Sequence, residues 1–407
     1  MNLVFYGIVL LSVVFAAIAG TPGAVGQGAL DAAKASVSLA IGLVGYIALF
    51  LGLMKVVEEA GGLKFMARLI RPVLIRLFPG VPAEHPAMGA MVMNVAANAL
   101  GLGNAATPFG LKAMKELNSL NTEKGTATNA MVLFLAINTS GLALLPTGII
   151  GLRALEGSAD PAAIFPTTLV ATAVSTLVGI TAAVGLSRLP IFARTAPAPD
   201  PDLPPRARTS MTDLLPFLAA VVLLVGLVWT VYTYKEQASA WIMPGLILGM
   251  LTVGIVRGVK VYEVFVKGAK EGFDLAVMII PYLVAILTAV GMLRASGGLG
   301  KIVSWLSPLT EAIGMPGEVL PLAILRPLSG SGSFGVTTEL LQTHGPDSLI
   351  GNIASTMNGS TETTFYVLAV YFGSVGVHKI RHAVPAGLAA DIAGALAACW
   401  AVHWLMS

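Results

Sequence analysis

Apolar residues in this chain run in long stretches rather than alternating with polar ones, and a helix crossing a hydrocarbon layer about 30 Å thick needs roughly 20 such residues. Nine stretches fit that length: Leu3 to Ala19, Val37 to Val57, Asn129 to Leu152, Phe165 to Leu186, Leu214 to Tyr234, Trp241 to Val256, Phe273 to Leu293, Ile350 to Val375 and Val384 to Met406. Each predicts a transmembrane helix. The triplet Ala17-Ile18-Ala19 resembles a signal-peptide cleavage site, but no Lys or Arg precedes the first apolar run, so it reads as a retained span. Between spans lie two amphipathic segments, Leu63 to Leu77 and Leu299 to Ile313, which predict helices lying at the membrane surface.

Composition narrows the class. Of 407 residues, 56% are hydrophobic and 11% charged, against about a quarter charged in a soluble domain, which excludes a soluble enzyme. A net charge of +3 is too small to point to nucleic acid. The single cysteine, Cys399, lies in an apolar stretch and reads as a small buried residue without redox or metal chemistry. Forty-five Gly and 24 Pro are many for plain spanning helices but suit broken helices and re-entrant segments inside a bundle.

Basic residues near span ends stay in the cytoplasm. Lys55, Lys64, Arg68, Arg71 and Arg76 follow the second span, Arg188, Arg194, Arg206 and Arg208 follow the fourth, and Arg257, Lys260, Lys267 and Lys270 follow the sixth. Residues 21–33 carry no basic residue and face out. The alternation puts the N-terminus inside the cell, together with His378, Lys379 and Arg381. The Pro-rich stretch Arg194 to Arg208 reads as an extended linker, dividing the chain into modules at 1–190 and 212–407 joined by 191–211.

The two modules repeat each other. Residues 33–63 align without gaps on 269–299, matching Ala33 with Ala269, Lys34 with Lys270, Leu39 with Leu275, Ala40 with Ala276, Tyr46 with Tyr282 and Gly61-Gly62-Leu63 with Gly297-Gly298-Leu299. Each module continues with an amphipathic segment, a Pro-Gly turn, a Gly-rich break and two further spans. The charge pattern sends the second span inward and its partner, the seventh, outward, so the repeats are inverted. Secondary transporters use this architecture, with substrate held near the bilayer midplane between repeats.

Two segments read as re-entrant helix-break-helix hairpins. Residues 85–115 carry Asn94, Asn98 and Asn104 around Gly101-Leu102-Gly103. Residues 321–341 carry Arg326 before the run Ser329-Gly330-Ser331-Gly332-Ser333, and Glu339 after it. Backbone at such breaks must be buried in protein or line a wet cavity, and a helix N-terminus there favours an anion. Small residues there also serve close helix packing. The serine-glycine run lacks the ending of a phosphate loop. The following spans are interrupted by Asn138, Thr139 and Ser140 in one half, and by Thr356, Asn358, Ser360, Thr361 and Glu362 in the other, with Asn138 and Asn358 as counterparts. A carboxylate inside a span is a functional candidate by default, so Glu362 is assigned to the site ahead of a structural ion pair. Arg326 has three readings: a contact for an anionic solute, a partner of Glu339 or Glu362, or an interfacial residue. His378 and His382 read as a basic surface turn, and no metal site is expected.

The strings NVAANALGLGNAATPFGLKAM and NAMVLFLAINTSGLALLPTGIIGLRA resemble the spore maturation protein A family. The strings LRPLSGSGSFGV and GPDSLIGNIASTMNGSTETTFYVLAVYFGSVG resemble the spore maturation protein B family. Both belong to the nucleoside-recognition, or Gate, family, so the chain resembles a fusion of the two. The resemblance implies a bacterial inner-membrane protein with interfacial helices and re-entrant hairpins. It does not supply a substrate.

The expected protein is therefore all-α and polytopic, a Gate-type fold of inverted repeats with about nine transmembrane helices, two re-entrant hairpins and interfacial helices. The expected function is secondary active transport of a small polar, anionic solute, with a nucleoside transporter and a non-transporting scaffold or sensor as alternatives. No cofactor is expected beyond a coupling Na+ or H+, and no catalytic constellation is present. The lipid bilayer and a small solute are the expected partners, and a homo-oligomer is left open.

Overall fold

The computed structural model describes residues 2–198, 210–239, 241–311 and 313–406; the side chains of 2–4, 103–105, 231–232, 234–239, 275–276, 279, 282, 306–307, 309 and 311 lie outside that description. The linker residues 199–209 and the side chain of Asn104 are therefore outside the described set.

The described residues are mostly helical, without a strand among them. The first half runs α1 (Asn2–Ala19), α2 (Pro22–Glu59), α3 (Gly62–Leu77), α4 (Pro86–Ala99), α5 (Gly103–Ser119), α6 (Asn129–Thr139), α7 (Thr147–Leu155) and α8 (Phe165–Ser187), with a single turn α9 (Pro190–Ala193) leading to the linker. The second half runs α10 (Leu215–Ser239), α11 (Ile242–Val256), α12 (Val261–Ala295), α13 (Gly298–Glu311), α14 (Leu320–Leu325), α15 (Gly330–His344), α16 (Leu349–Ser360), α17 (Thr364–Gly373) and α18 (Ala383–Leu405). The order long helix, amphipathic helix, hairpin, broken helix, long helix occurs in each half.

By length and apolarity, fewer long helices are found among the described residues than the nine spans expected. Among the described residues, four helical stretches are long and apolar enough to cross a bilayer: α2, α8, residues Met211–Thr230 leading into α10, and α18. A fifth arises if Leu283–Ala295 and Gly298–Trp305, bent by 79°, are taken together. The segments read as the third and eighth spans are each two helices, α6 with α7 and α16 with α17, because Gly141 and Pro146 end one helix and the extended Thr361 and Thr363 end the other. Conversely, α2 begins at Pro22, where a proline suits the first helical position, and runs through residues read as an outward loop.

Large apolar side chains face outward along several helices. Val222, Leu223 and Trp229 on α10 and Leu248 and Ile255 on α11 are at least 64% exposed, a surface that lipid can cover and water cannot do so cheaply. This is a membrane protein.

Helix α2 packs on its counterpart α12 along its length. Gly28 meets Gly291 and Ala295, Ser36 donates a hydrogen bond to Leu283 O, Ala48 meets Gly272, and Gly52 meets Gly268. As one number rises the other falls, so the two helices are antiparallel. Both end at the same backbone device: Gly61 has φ +86° and Gly297 φ +72°, and the chain then turns into α3 or α13. No atom lies within 4 Å of a Cβ built on either glycine, so the strain of substitution is confined to the backbone. Gly61→Ala and Gly297→Ala are each expected to lower stability by about 1 kcal/mol, read as a lower thermal midpoint in detergent, with Gly61→Asn milder.

The halves interpenetrate. One apolar core gathers α3, α4, α5 and α6 with Val367, Tyr371 and Phe372 of α17. The other gathers α14, α15 and α16 with Ile149, Ile150 and Leu152 of α7. The first hairpin thus packs on α17 of the opposite half, α16 packs on α7, and α8 packs on α18. Two arginines fasten the interleaved ends. Arg153, at the end of α7, donates to Pro346 O at 2.6 Å and to Asn352 Oδ1 and Asp347 Oδ1 at 2.9 Å, all ahead of or in α16. Arg381, between α17 and α18, donates to Ala127 O at 3.0 Å and Asn129 Oδ1 at 2.8 Å, at the start of α6. Beside it Lys379 pairs with Glu123 at 3.6 Å. The Thr126 hydroxyl, and then Lys379, hold that carboxylate below its usual range.

Candidate functional site

The two helix breaks cross. Helix α6 stops at Thr139, Gly141 takes φ +61°, and the chain stays irregular to Pro146. In the other half α16 stops at Ser360 and Thr361 is extended. At the crossing Glu362 N donates to Thr139 O at 2.9 Å. A Cβ on Gly141 would lie 2.6 Å from the carbonyl carbon of Thr361. Backbone freed by each break is thereby satisfied inside the protein, as a segment shielded from water requires.

A long apolar helix braces each break. From α8, the Thr172 hydroxyl donates to Gly141 O at 2.9 Å and Ser140 O at 3.3 Å. On α18, Asp391 Oδ2 accepts from the Thr364 hydroxyl at 2.6 Å. Asp391 is 6% exposed, and its Oδ1 has no hydrogen-bond partner.

Both hairpins reach the crossing. The first docks through amides: Asn98 Nδ2 donates to Asn138 Oδ1 at 2.9 Å, Tyr371 Oη donates to the same oxygen at 3.3 Å, and Asn94 Nδ2 donates to Ala106 O at 2.8 Å and Tyr371 Oη at 3.2 Å. Leu144 N, within the first break, donates to Ala99 O at the end of α4. In the second half Asn358 Nδ2 donates to Thr337 Oγ1 on α15 at 2.7 Å, so Asn138 and Asn358 each hold the hairpin of their own half. The second hairpin's tip lies on the second break: Phe365 N donates to Pro327 O at 3.0 Å, and Arg326 Nη1 donates to Thr363 Oγ1 at 3.4 Å. Arg326 is 7% exposed and its Nε has no partner.

Not every expected site residue stands free for a ligand. Thr139 and Ser360 return their hydroxyls to their own helices. Ser140 meets Thr176 at 2.9 Å and Thr356 meets Thr167 at 2.8 Å, both interhelical contacts to α8. Ser329 caps α15 by accepting from Gly332 N, with Ser331 beside it, and Ser333 donates to Gly330 O. Thr361 is buried with its methyl beside Gly394. Glu362 is exposed at the crossing. Glu339 is paired with Arg294 rather than Arg326, because α15 carries it away from the hairpin tip toward α12. A cavity of about 540 Å³ lies elsewhere, among Phe78, Leu117, Leu133, Val184, Arg188 and Pro197. It shares no residue with the crossing, and its mainly apolar lining suits packing rather than polar recognition.

Two residues of the crossing escaped the sequence reading. Asp391 had a signal, as the sole acidic or basic side chain of α18 apart from histidine. Tyr371 had none, since nothing in the sequence separates it from the exposed Tyr366.

Crossed broken helices, each served by its own hairpin, form the centre of this membrane protein, and the chain matches the Gate family, described as nucleoside recognition, over residues 40–156 and 276–377. It belongs to this family. Over 159 residues it is 50% identical to spore maturation protein B of Bacillus subtilis (strain 168), covering 39% of this chain and 89% of that protein. Over 174 residues it is 38% identical to spore maturation protein A of the same organism, covering 43% of this chain and 89% of that protein. The two relatives match different parts of this chain, which therefore joins counterparts of both in one polypeptide.

Proposed function

We propose that the protein is a secondary active transporter that moves a small anionic solute across the bacterial inner membrane, binding it where the two broken helices cross. The observation that carries this reading is Arg326, a guanidinium 7% exposed, beside the crossing, with an Nε that has no partner. A buried cation without full compensation is costly unless a ligand completes it. The N-terminal module is the spore maturation protein A-like unit and the C-terminal module the B-like unit, arranged as inverted repeats with the N-terminus in the cytoplasm. The antiparallel packing of α2 on α12 supports the inversion. Transport then follows from moving the hairpins against the long helices, exposing the crossing to one side at a time.

The family description favours one competing substrate, a nucleoside, which the amides of Asn98 and Asn138 would suit. The test is a thermal-stability screen of the purified chain with small carboxylates, amino acids and nucleosides, each with and without Na+, followed by flux into liposomes. An anion is expected to raise the wild-type midpoint and leave Arg326→Ala unmoved, with at least about a tenfold loss of affinity in the variant. Stabilisation by nucleosides alone, equal in both proteins, would replace the anion with a nucleoside. Binding without flux would make the protein a sensor.

A further inference from the structure

Asp391 lies within α18 and faces the second break, yet it is neither ion-paired nor fully hydrogen-bonded. Its Oδ2 accepts the Thr364 hydroxyl, its Oδ1 has no partner, and it is 6% exposed. Arg326, also without a full set of partners, reaches the same stretch of the break: it donates to Thr363 Oγ1 at 3.4 Å, and the next residue, Thr364, donates to Asp391 at 2.6 Å. No ion pair joins the two among the described residues. The surroundings are otherwise bare of ionisable groups: α6, α8 and α16 carry none, α17 carries only Tyr366 and Tyr371, and the break contributes Glu362, which is exposed. On α18 itself the remaining titratable groups are Cys399 and His403, with His382 at its N-cap.

We infer that Asp391 is a proton-binding site that couples to the anion: it takes up one proton when an anion seats on Arg326 and releases it when the anion leaves. This deepens the transport reading and rests on it. The argument is one of buried charge. With the site empty, the buried charges here are one guanidinium and one carboxylate, Glu362 being exposed. Adding an anion to Arg326 leaves two negative charges against one positive in a medium of low dielectric, and an uncompensated buried charge is the most expensive state available to it. Protonating Asp391 restores the balance. The bond that forms is O–H on the unpartnered Oδ1, the proton comes from water on the side to which the crossing is open, and the same bond breaks to water on the other side. Proton and anion then travel together.

The experiment uses the full chain in nanodiscs and liposomes, with succinate and uridine 5′-monophosphate as probes. The affinity of the probe that binds is expected to weaken by up to about tenfold per pH unit as pH rises through the titration of Asp391, the limit for one linked proton. A pH dye inside liposomes should report acidification as that anion enters. Asp391→Asn should bind with an affinity independent of pH and carry no protons, while Glu362→Gln keeps the wild-type slope. The same slope in Asp391→Asn would overturn the proposal, as would its loss in Glu362→Gln alone. Should Asp391→Asn fail to fold, Thr364→Val removes the hydroxyl on Oδ2 and should move the midpoint of the pH dependence without abolishing it; an unmoved midpoint counts against Asp391. Infrared spectra separate the two levels of argument. A protonated carboxyl band that titrates in wild type and is missing in Asp391→Asn supports the proton site even if neither probe binds, in which case the anion reading is the one that fails. Absence of that band in wild type between pH 5 and 9 overturns the proton site.

Discussion

Replacing Arg153 by Met is expected to be among the most damaging single changes outside the crossing. The guanidinium is fully buried and donates to Pro346 O, Pro161 O, Asp160 O, Asn352 Oδ1, Ser158 Oγ, Ser355 Oγ and Asp347 Oδ1. Asp347 is 46% exposed, so the ion pair itself is partly screened and contributes modestly. The larger loss is the group of acceptors left dry, and buried acceptors without donors cost about 1–3 kcal/mol each where water cannot reach them. A net loss of about 3–5 kcal/mol is expected, seen as a thermal midpoint many degrees lower in detergent and as proteolysis near residues 156–164 and 345–348. Arg153→Lys recovers little, because one ammonium cannot reach donors arranged around a planar fork. A midpoint equal to wild type would mean that the end of α7 and the start of α16 are held by apolar packing alone.

Gly141→Ala is expected to abolish binding and flux at the crossing while leaving the helices formed. At φ +61° a side chain is strained by about 1 kcal/mol or more. Its Cβ would also stand 2.6–2.9 Å from the backbone of Thr361 and Glu362. That neighbour is main chain and cannot rotate away, so the breaks must separate and the bond from Glu362 N to Thr139 O must lengthen or open. Overpacking of this kind costs about 1–3 kcal/mol, for a total of about 2–4 kcal/mol. Gly148→Ala is the control, since a Cβ there meets nothing within 4 Å. Probe binding retained in Gly141→Ala would show that the crossing is not the site.

The hairpins were legible because chain breakers act locally. Gly101-Leu102-Gly103 ends α4, and Ser329 caps α15 with its own side chain, wherever the rest of the chain goes. The polar interruptions at 138–141 and 358–364 are legible from composition, and the structure makes each a break between two helices. How the two halves interpenetrate has no signal in the sequence. Nothing within 1–190 announces that Tyr371 will stack on Phe134 at 5.9 Å or that Arg153 will clasp the loop before α16.

The sequence alone determined the membrane environment and most of the helices, because hydropathy over some 20 residues, glycine at chain turns and proline at a helix start are properties of short segments. Tertiary structure alone decided which breaks cross, that α2 lies antiparallel on α12, that Glu339 goes to Arg294, and that Asp391 rather than Glu362 is the buried carboxylate. These choices join residues 27 to 277 positions apart. They are settled by how close-packed helices share a small interior, where each buried polar atom must find a partner that its own segment does not contain.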